Sequence, residues 1–257
     1  MPVTVEHRAH AGGTIAAVTH DRQSRLNALD SASVAELTRV FEELGTDEKL
    51  RAVVLTGAGA KAFVGGADLN ELRALEEDSA RRFISGLHRL FRAMRTLPVP
   101  VIARVNGYCL GAGMEMAAAA DIRIASSNAV FGMPEVQVGL PSVIEAALLP
   151  RLVGWGRSSW LVMTGQVIDA STADRWGFLE QLAGDQAELD AAVGETADTI
   201  ASAGPLAVRA QKRLVNDWER LSIEDGVRVG IEALARSYRT DEPRRMMQRF
   251  FDRRRSG

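Results

Sequence analysis

Residues 3 to 20, VTVEHRAHAGGTIAAVTH, place apolar side chains at roughly alternate positions on either side of a glycine pair, which predicts two strands joined by a turn. The polar DRQSRLNALD that follows breaks the pattern. From Ser31 to Gly45 the apolar residues of SASVAELTRVFEELG recur at helical spacing, with Ser at the cap and Gly at the end. RAVVLTG then reads as a buried strand, and a glycine-rich loop leads to SARRFISGLHRLFRAMRTL, an amphipathic helix that the prolines at 98 and 100 must end. VPVIARVNG is another buried strand. This repeating succession of strand, helix and strand predicts an α/β domain with right-handed crossovers. From about residue 186 the strand patterns stop. Four helical segments follow as an appendage: QAELDAAVGETADTIAS, PLAVRAQKRLVNDWER, SIEDGVRVGIEALARSY and DEPRRMMQRFFDRRR.

One charge is out of place in this pattern. GAGMEMAAAADIRIA, from Gly111, is a run of small and apolar residues expected to be buried, and Glu115 stands in its middle. A buried ionised carboxylate without a partner is so unfavourable that it either shifts its pKa or is paired.

The totals narrow the function classes. The chain has 257 residues and is 46% hydrophobic, enough for one sizeable core or for a main domain with a small appendage. Lys and Arg number 31 against 33 Asp and Glu, so no net field draws the chain to nucleic acid or to an anionic membrane. The expected partners are small molecules or copies of itself. Cys109 is the only cysteine, which excludes an internal disulfide and a thiolate metal cage and points to a reducing compartment. MPVTVEHRAHAGG lacks the pattern of a secretory signal, and no window reaches the roughly 18 apolar residues of a membrane span. A cytoplasmic protein is expected, with no membrane partner and no metal.

Two glycine patterns invite a nucleotide reading and fail its context test. GAGAKA, from Gly57, follows a strand, but FVGGADLNEL puts more loop glycines where a phosphate-binding helix would begin. GYCLGAG, from Gly107, lies far from the amino terminus, and Tyr108 has Ala112 where a short-chain dehydrogenase needs its lysine. His7, His10, His20 and His88 are scattered without triad or metal-ligand spacing, so surface or structural places are expected for them. What remains is two glycine-rich loops, FVGGADL and NGYCLGAGMEM, each after a buried strand. Glycine at such a junction lets backbone approach a ligand and leaves N–H groups unpaired at a helix start. Two such groups aimed at one oxygen make an oxyanion hole. Downstream, NAVFGMPEVQVGLPSV supplies a second carboxylate, Glu135, in a loop-like stretch. Adding water beside a thioester carbonyl needs one group to deprotonate water and another to protonate carbon, and two carboxylates with split pKa values can do both.

RLNALD, AFVGGADLNEL, VNGYCLGAGMEMAAAADIRIAS, FGMPEVQVGLP and the carboxyl-terminal RFFDRR stand in the order found in the crotonase (enoyl-CoA hydratase/isomerase) superfamily, which the chain resembles over nearly its whole length. The resemblance implies an α/β crotonase (ClpP-like) fold, a repeated ββα superhelix with a C-terminal helical trimerisation region. Residues 1–200 would form the core that binds coenzyme A and carries catalysis, and 201–257 the oligomerisation region of a homotrimer or hexamer. It implies that the N–H groups of Ala67 and Ala112 form the oxyanion hole of an enoyl-CoA hydratase, and that Glu115 and Glu135 hold one catalytic water. Substrate contacts are implied for Arg25, Leu26, Ala28, Ala62, Gly65, Ala67, Asp68, Leu69, Gly111 and Pro134, and for Phe250 and Arg253 where the last helix packs over a neighbouring subunit's coenzyme A. No permanently bound cofactor is implied; the coenzyme A thioester is the substrate. Asp68 is expected to hold its loop by accepting from nearby N–H groups. Met114, Met116 and Met133 are expected in the core, within reach of the acyl tunnel.

The chain also departs from the hydratase pattern. After GLP the family has a glycine-rich run, whereas this chain reads SVIEAALLPRL, so that Ser142, Val143 and Ile144 replace flexible backbone near the acyl group. Glu145 is new there. It reads either as a third active-site carboxylate or, the favoured expectation, as an exposed acid in the first turn of a helix. Two rival functions stay open: an enoyl-CoA isomerase or other acyl-CoA-processing crotonase, and a non-catalytic RNA-binding relative, against which the near-neutral charge speaks.

Overall fold

The computed structural model describes residues 2–255. The alternating amino-terminal pattern forms β1 (Val3–His10) and β2 (Gly13–His20), an antiparallel hairpin. The helix that follows is α1 (Ser31–Leu44), but its cap lies one residue earlier than the expected Ser31. Asp30 accepts from the Ser33 N–H at 2.8 Å, and its charge also meets the positive end of the helix dipole.

The middle of the chain repeats one unit. β3 (Leu50–Gly57) and β4 (Ala62–Val64) lead to α2 (Leu69–Arg73) and α3 (Glu77–Thr96). β5 (Val101–Val105) and β6 (Tyr108–Leu110) lead to α4 (Ala112–Ala119). β7 (Ile122–Ser126) and β8 (Val130–Gly132) lead through two 3-10 turns, Pro134–Val138 and Ile144–Leu148, to α5 (Leu149–Val153) and α6 (Trp155–Thr164). β9 (Val167–Asp169), α7 (Ala170–Arg175) and β10 (Gln181–Ala183) close the sheets. The long strands pair in a six-stranded sheet of order β1-β2-β3-β5-β7-β10, and the short ones in a four-stranded sheet of order β4-β6-β8-β9. This is the ββα succession implied by the resemblance. The three-residue strands lie in stretches read as loops or absent from the reading, being too short to show a period.

Successive residues of the long strands face opposite ways. Val53, Leu55, Val101 and Ala103 join the main core with the fully buried rings of Phe41, Phe63, Phe91, Phe131 and Phe178. Ile15, Ile102 and Ile124 face the other way, where α8 (Gln186–Ser202) covers them with Leu189, Val193 and Ala197. The first of the four helical segments is thus part of the sheet body. Beyond it lie α9 (Pro205–Trp218), α10 (Ile223–Ser237) and α11 (Glu242–Arg255). Buried Lys212 ties α9 to Asp121 at the start of β7, and the Glu242 carboxylate of α11 accepts from the Leu206 and Ala207 N–H groups at 3.1 and 2.9 Å.

The start of α4 packs so closely on β4 that a Cβ added to Gly113 would overlap the Val64 carbonyl oxygen. Gly113→Ala is therefore expected to destabilise the fold by about 1–3 kcal/mol, the usual effect of overpacking. Urea unfolding should show a lower midpoint at unchanged slope.

Candidate active site

β4, β6 and β8 are parallel neighbours, so the segments leaving their carboxyl ends emerge along one edge. These segments are the Gly65–Gly66–Ala67 loop, the Gly111–Ala112 junction and the Pro134–Glu135 turn. The crevice beyond the carboxyl ends of parallel strands is where α/β sheets commonly bind ligands.

The first loop is laced to the RLNALD stretch. Leu26 and Asn27 adopt left-handed backbone, with φ of 53° and 54°. The Gly65 N–H donates to the Leu26 carbonyl, the Leu29 N–H to that of Gly66 and the Asp68 N–H to that of Leu29, each at 2.8 Å. Buried Asn27 donates its amide to the carbonyls of Ala58 and Ala62, at 3.0 and 2.8 Å. Arg22 reaches Asp30 at 3.0 Å and Asp68 at 3.1 Å. Asp68 also accepts from the Asn70 N–H at 2.9 Å and so caps α2, the structural part expected of it. Burial pushes the Asp68 carboxyl up, but the Asn70 N–H and Arg22 outweigh it and hold the group below its ordinary value.

The second loop turns on Gly111, whose φ is 52°. α4 begins at the next residue, and the first N–H groups of a helix have no partner within it. Among the described residues, no protein group accepts from the N–H of Ala67 or of Ala112. The two loops are adjacent, since a Cβ on Gly66 would stand 3.4 Å from the Leu110 carbonyl. A Cβ on Gly111 would stand 2.5 Å from Oε1 of Glu135, which places that carboxylate over the start of α4.

Glu115, one turn into α4, is 4% exposed. Its Oε1 accepts from the Ala146 N–H at 3.0 Å. Burial drives its pKa up to about 8 against the pull of that hydrogen bond, and the charges of Glu135 and Glu145 add to the rise. Glu135 lies in the first 3-10 turn, and its Oε2 accepts from the Ser142 hydroxyl at 2.7 Å.

Glu145 overturns the favoured expectation. It stands in the first turn of a 3-10 helix but is 3% exposed, not solvated. The turn is entered through Ile144 at φ 41°, and the Glu145 side chain meets α3, where Nδ1 of His88 lies 3.0 and 3.3 Å from its two oxygens. Burial raises its pKa, with His88 and then Arg95 opposing the rise. Neither His88 nor the donor roles of Ser142 and Ala146 show in the local sequence pattern. His88 and Glu145 are 57 positions apart.

The strand ends thus gather Gly65, Ala67, Asp68, Gly111, Ala112, Glu115, Pro134 and Glu135, with Leu26 and Ala28 behind the first loop and Ala62 buried in β4. Arg25 and Leu69 are exposed. Phe250 is exposed on α11, where it contacts Phe251 and Arg254, and does not join this cluster. The side chain of Arg253 lies outside the described residues. Beside the 142–147 segment is an apolar cleft of about 320 Å³, lined by Val143, Ile144, Ala147, Trp155 and Val162 among others. Among the described residues, no group of three or more His, Cys, Asp or Glu side chains is placed to hold a metal ion.

Residues 10–256 match the family model described as enoyl-CoA hydratase/isomerase. The chain is 38% identical over 243 residues to a short-chain-enoyl-CoA hydratase of Clostridium acetobutylicum, covering 94% of this chain and 93% of that one. It is 34% identical over 237 residues to a crotonyl-CoA hydratase of Syntrophomonas wolfei, covering 92% and 91%. The crystal structure of an enoyl-CoA hydratase from Bacillus anthracis superposes with a TM-score of 0.92 at 30% identity, over 98% of this chain and 97% of that one.

The raised pKa of Glu115 has a consequence for stability. Folding favours the protonated acid, so its contribution is whole below about pH 4.5, the ordinary value, and is lost as pH rises through about 8. Glu115→Gln should therefore melt above the wild type in alkaline buffer, with the gap closing toward acid. Thermal melts across pH check it; a gap that does not change with pH would mean that Glu115 is not held protonated.

Proposed function

The chain belongs to the enoyl-CoA hydratase/isomerase family, and from that membership we propose that it adds water across the 2,3-double bond of a 2-enoyl-CoA. The observation that carries this reading is the convergence of two carboxylates with different surroundings, Glu115 and Glu135, beside two unpartnered backbone N–H groups. In this reading the thioester oxygen accepts from Ala67 and Ala112, whose N–H groups stabilise the enolate charge that grows as water attacks C3. Glu115 takes a proton from the water, the oxygen bonds to C3, and Glu135 delivers a proton to C2. The proton on Glu115 then returns to Glu135, which resets the pair. The apolar cleft lined by Val143 and Ile144 supports a reading in which the acyl chain lies beside Ser142, Val143 and Ile144.

The same reading extends to assembly. Ile223, Val227, Ile231 and Leu234 lie along one side of α10 and are exposed, an apolar stripe that favours self-association. We assign it to a homotrimer or hexamer in which α11, with Phe250, approaches a neighbouring subunit's coenzyme A.

Three measurements test these statements. Glu135→Gln and Glu115→Gln should each lower hydratase turnover by at least roughly a hundredfold with the fold retained. If Glu115→Gln is silent and Glu135→Gln is dead, the one-carboxylate isomerase reading replaces hydration. A base must be ionised, so kcat/KM should rise with pH toward about 8 as Glu115 loses its proton. A profile that falls through that value would make Glu115 the acid. Light scattering should give three or six copies, and deleting residues from Glu242 onward should weaken both assembly and thioester binding; a fully active monomer would sink the assembly proposal.

A further inference from the structure

The two glutamates are held by donors from one short segment. Ser142 donates to Glu135 and Ala146 donates to Glu115, at 2.7 and 3.0 Å, so the path of the backbone from 142 to 146 sets the relative placement of both carboxylates. That path is not relaxed. Ile144 sits at φ 41°, where a β-branched side chain is a true outlier and the backbone must be held by its surroundings. The Ala146 N–H also donates to the Val143 carbonyl at 2.9 Å and closes the turn around it, and a further contact, from the very next residue, ties that turn to α3. Glu145 turns inward and is gripped by His88 of α3, whose other face is open, the side chain being 50% exposed.

We propose that Glu145 and His88 form a positioning pair for the reaction: by clamping the strained 142–146 segment to α3, they fix the two donors that hold Glu115 and Glu135. Neither residue touches the substrate in this account. The groups that bear on the trio of carboxylates are His88 and Arg95 from α3, Glu135 from its turn, Glu115 from α4 and Glu145 itself.

The catalytic consequence rests on the hydratase reading, so the test has one arm that needs no turnover. The infrared carboxyl band assigned to Glu115 by its loss in Glu115→Gln reports the hydrogen bond from Ala146, so it should shift in frequency in His88→Ala relative to the wild type. An unmoved band overturns the clamp. In kinetics, His88→Ala removes a half-exposed side chain and should leave the fold intact, yet lower kcat about tenfold with KM nearly constant, as a small misplacement of reacting groups does. His88→Gln, which keeps a donor toward Glu145, should recover most of that loss. Wild-type kcat in His88→Ala overturns the clamp. A wild-type protein inactive on every enoyl-CoA tested would strike the hydratase reading instead, and the band position would still decide whether the pair sets the hydrogen bond to Glu115.

Discussion

A carboxylate inside a helix of methionine and alanine sets the problem that the surrounding structure solves. Left alone in so dry a place, Glu115 would remain protonated over nearly the whole accessible pH range. One backbone N–H, from Ala146, partly offsets the desolvation, and two further carboxylates nearby work the other way. The result is an acid whose pKa is pushed up to about 8, close enough to neutral for both protonation states to be populated there. Proton transfer at such a site depends on small displacements of a few donors, which is why the short 142–146 segment matters more than its length suggests.

The second requirement is to bring chain segments far apart in sequence to one edge, and the small sheet does this. Its strands have only three residues each, too few to stand alone, and they are held by the larger sheet and by packing against α4. Parallel pairing makes each successive strand end in the same direction, so three loops that differ in sequence arrive side by side. Polar lacing around Arg22 and Asn27 then keeps the first of these loops from moving independently of the sheet.

Much of this was legible in the chain. The long strands and helices announce themselves by period, and Glu115 by its contrast with its neighbours. The short strands do not, because three residues cannot show a period. The α1 cap was displaced by one residue because Asp30 and Ser31 are both capping types and only the geometry chooses between them. Glu145 was the larger miss. Read along the chain it is an acid in a first helical turn, usually solvated, and nothing local says that a left-handed Ile144 will direct it to a histidine on another helix. Tertiary pairing over such a distance leaves no mark that one sequence can show.

The two unpartnered donors at the strand ends belong to the main chain, and this bears on how such a protein diverges. A side-chain donor is lost in one substitution; an amide of the backbone survives every substitution except proline. Ala67 and Ala112 can therefore drift in identity while their N–H groups persist, and selection is left to act on what surrounds them. Gly111 is the exception, since any side chain there would collide with Glu135. Variation should consequently collect in side chains that line the apolar cleft and hold neither glutamate, such as Val143, Trp155 and Val162. The fold thus keeps these two donors in the backbone and leaves the side chains of the cleft free to change in shape.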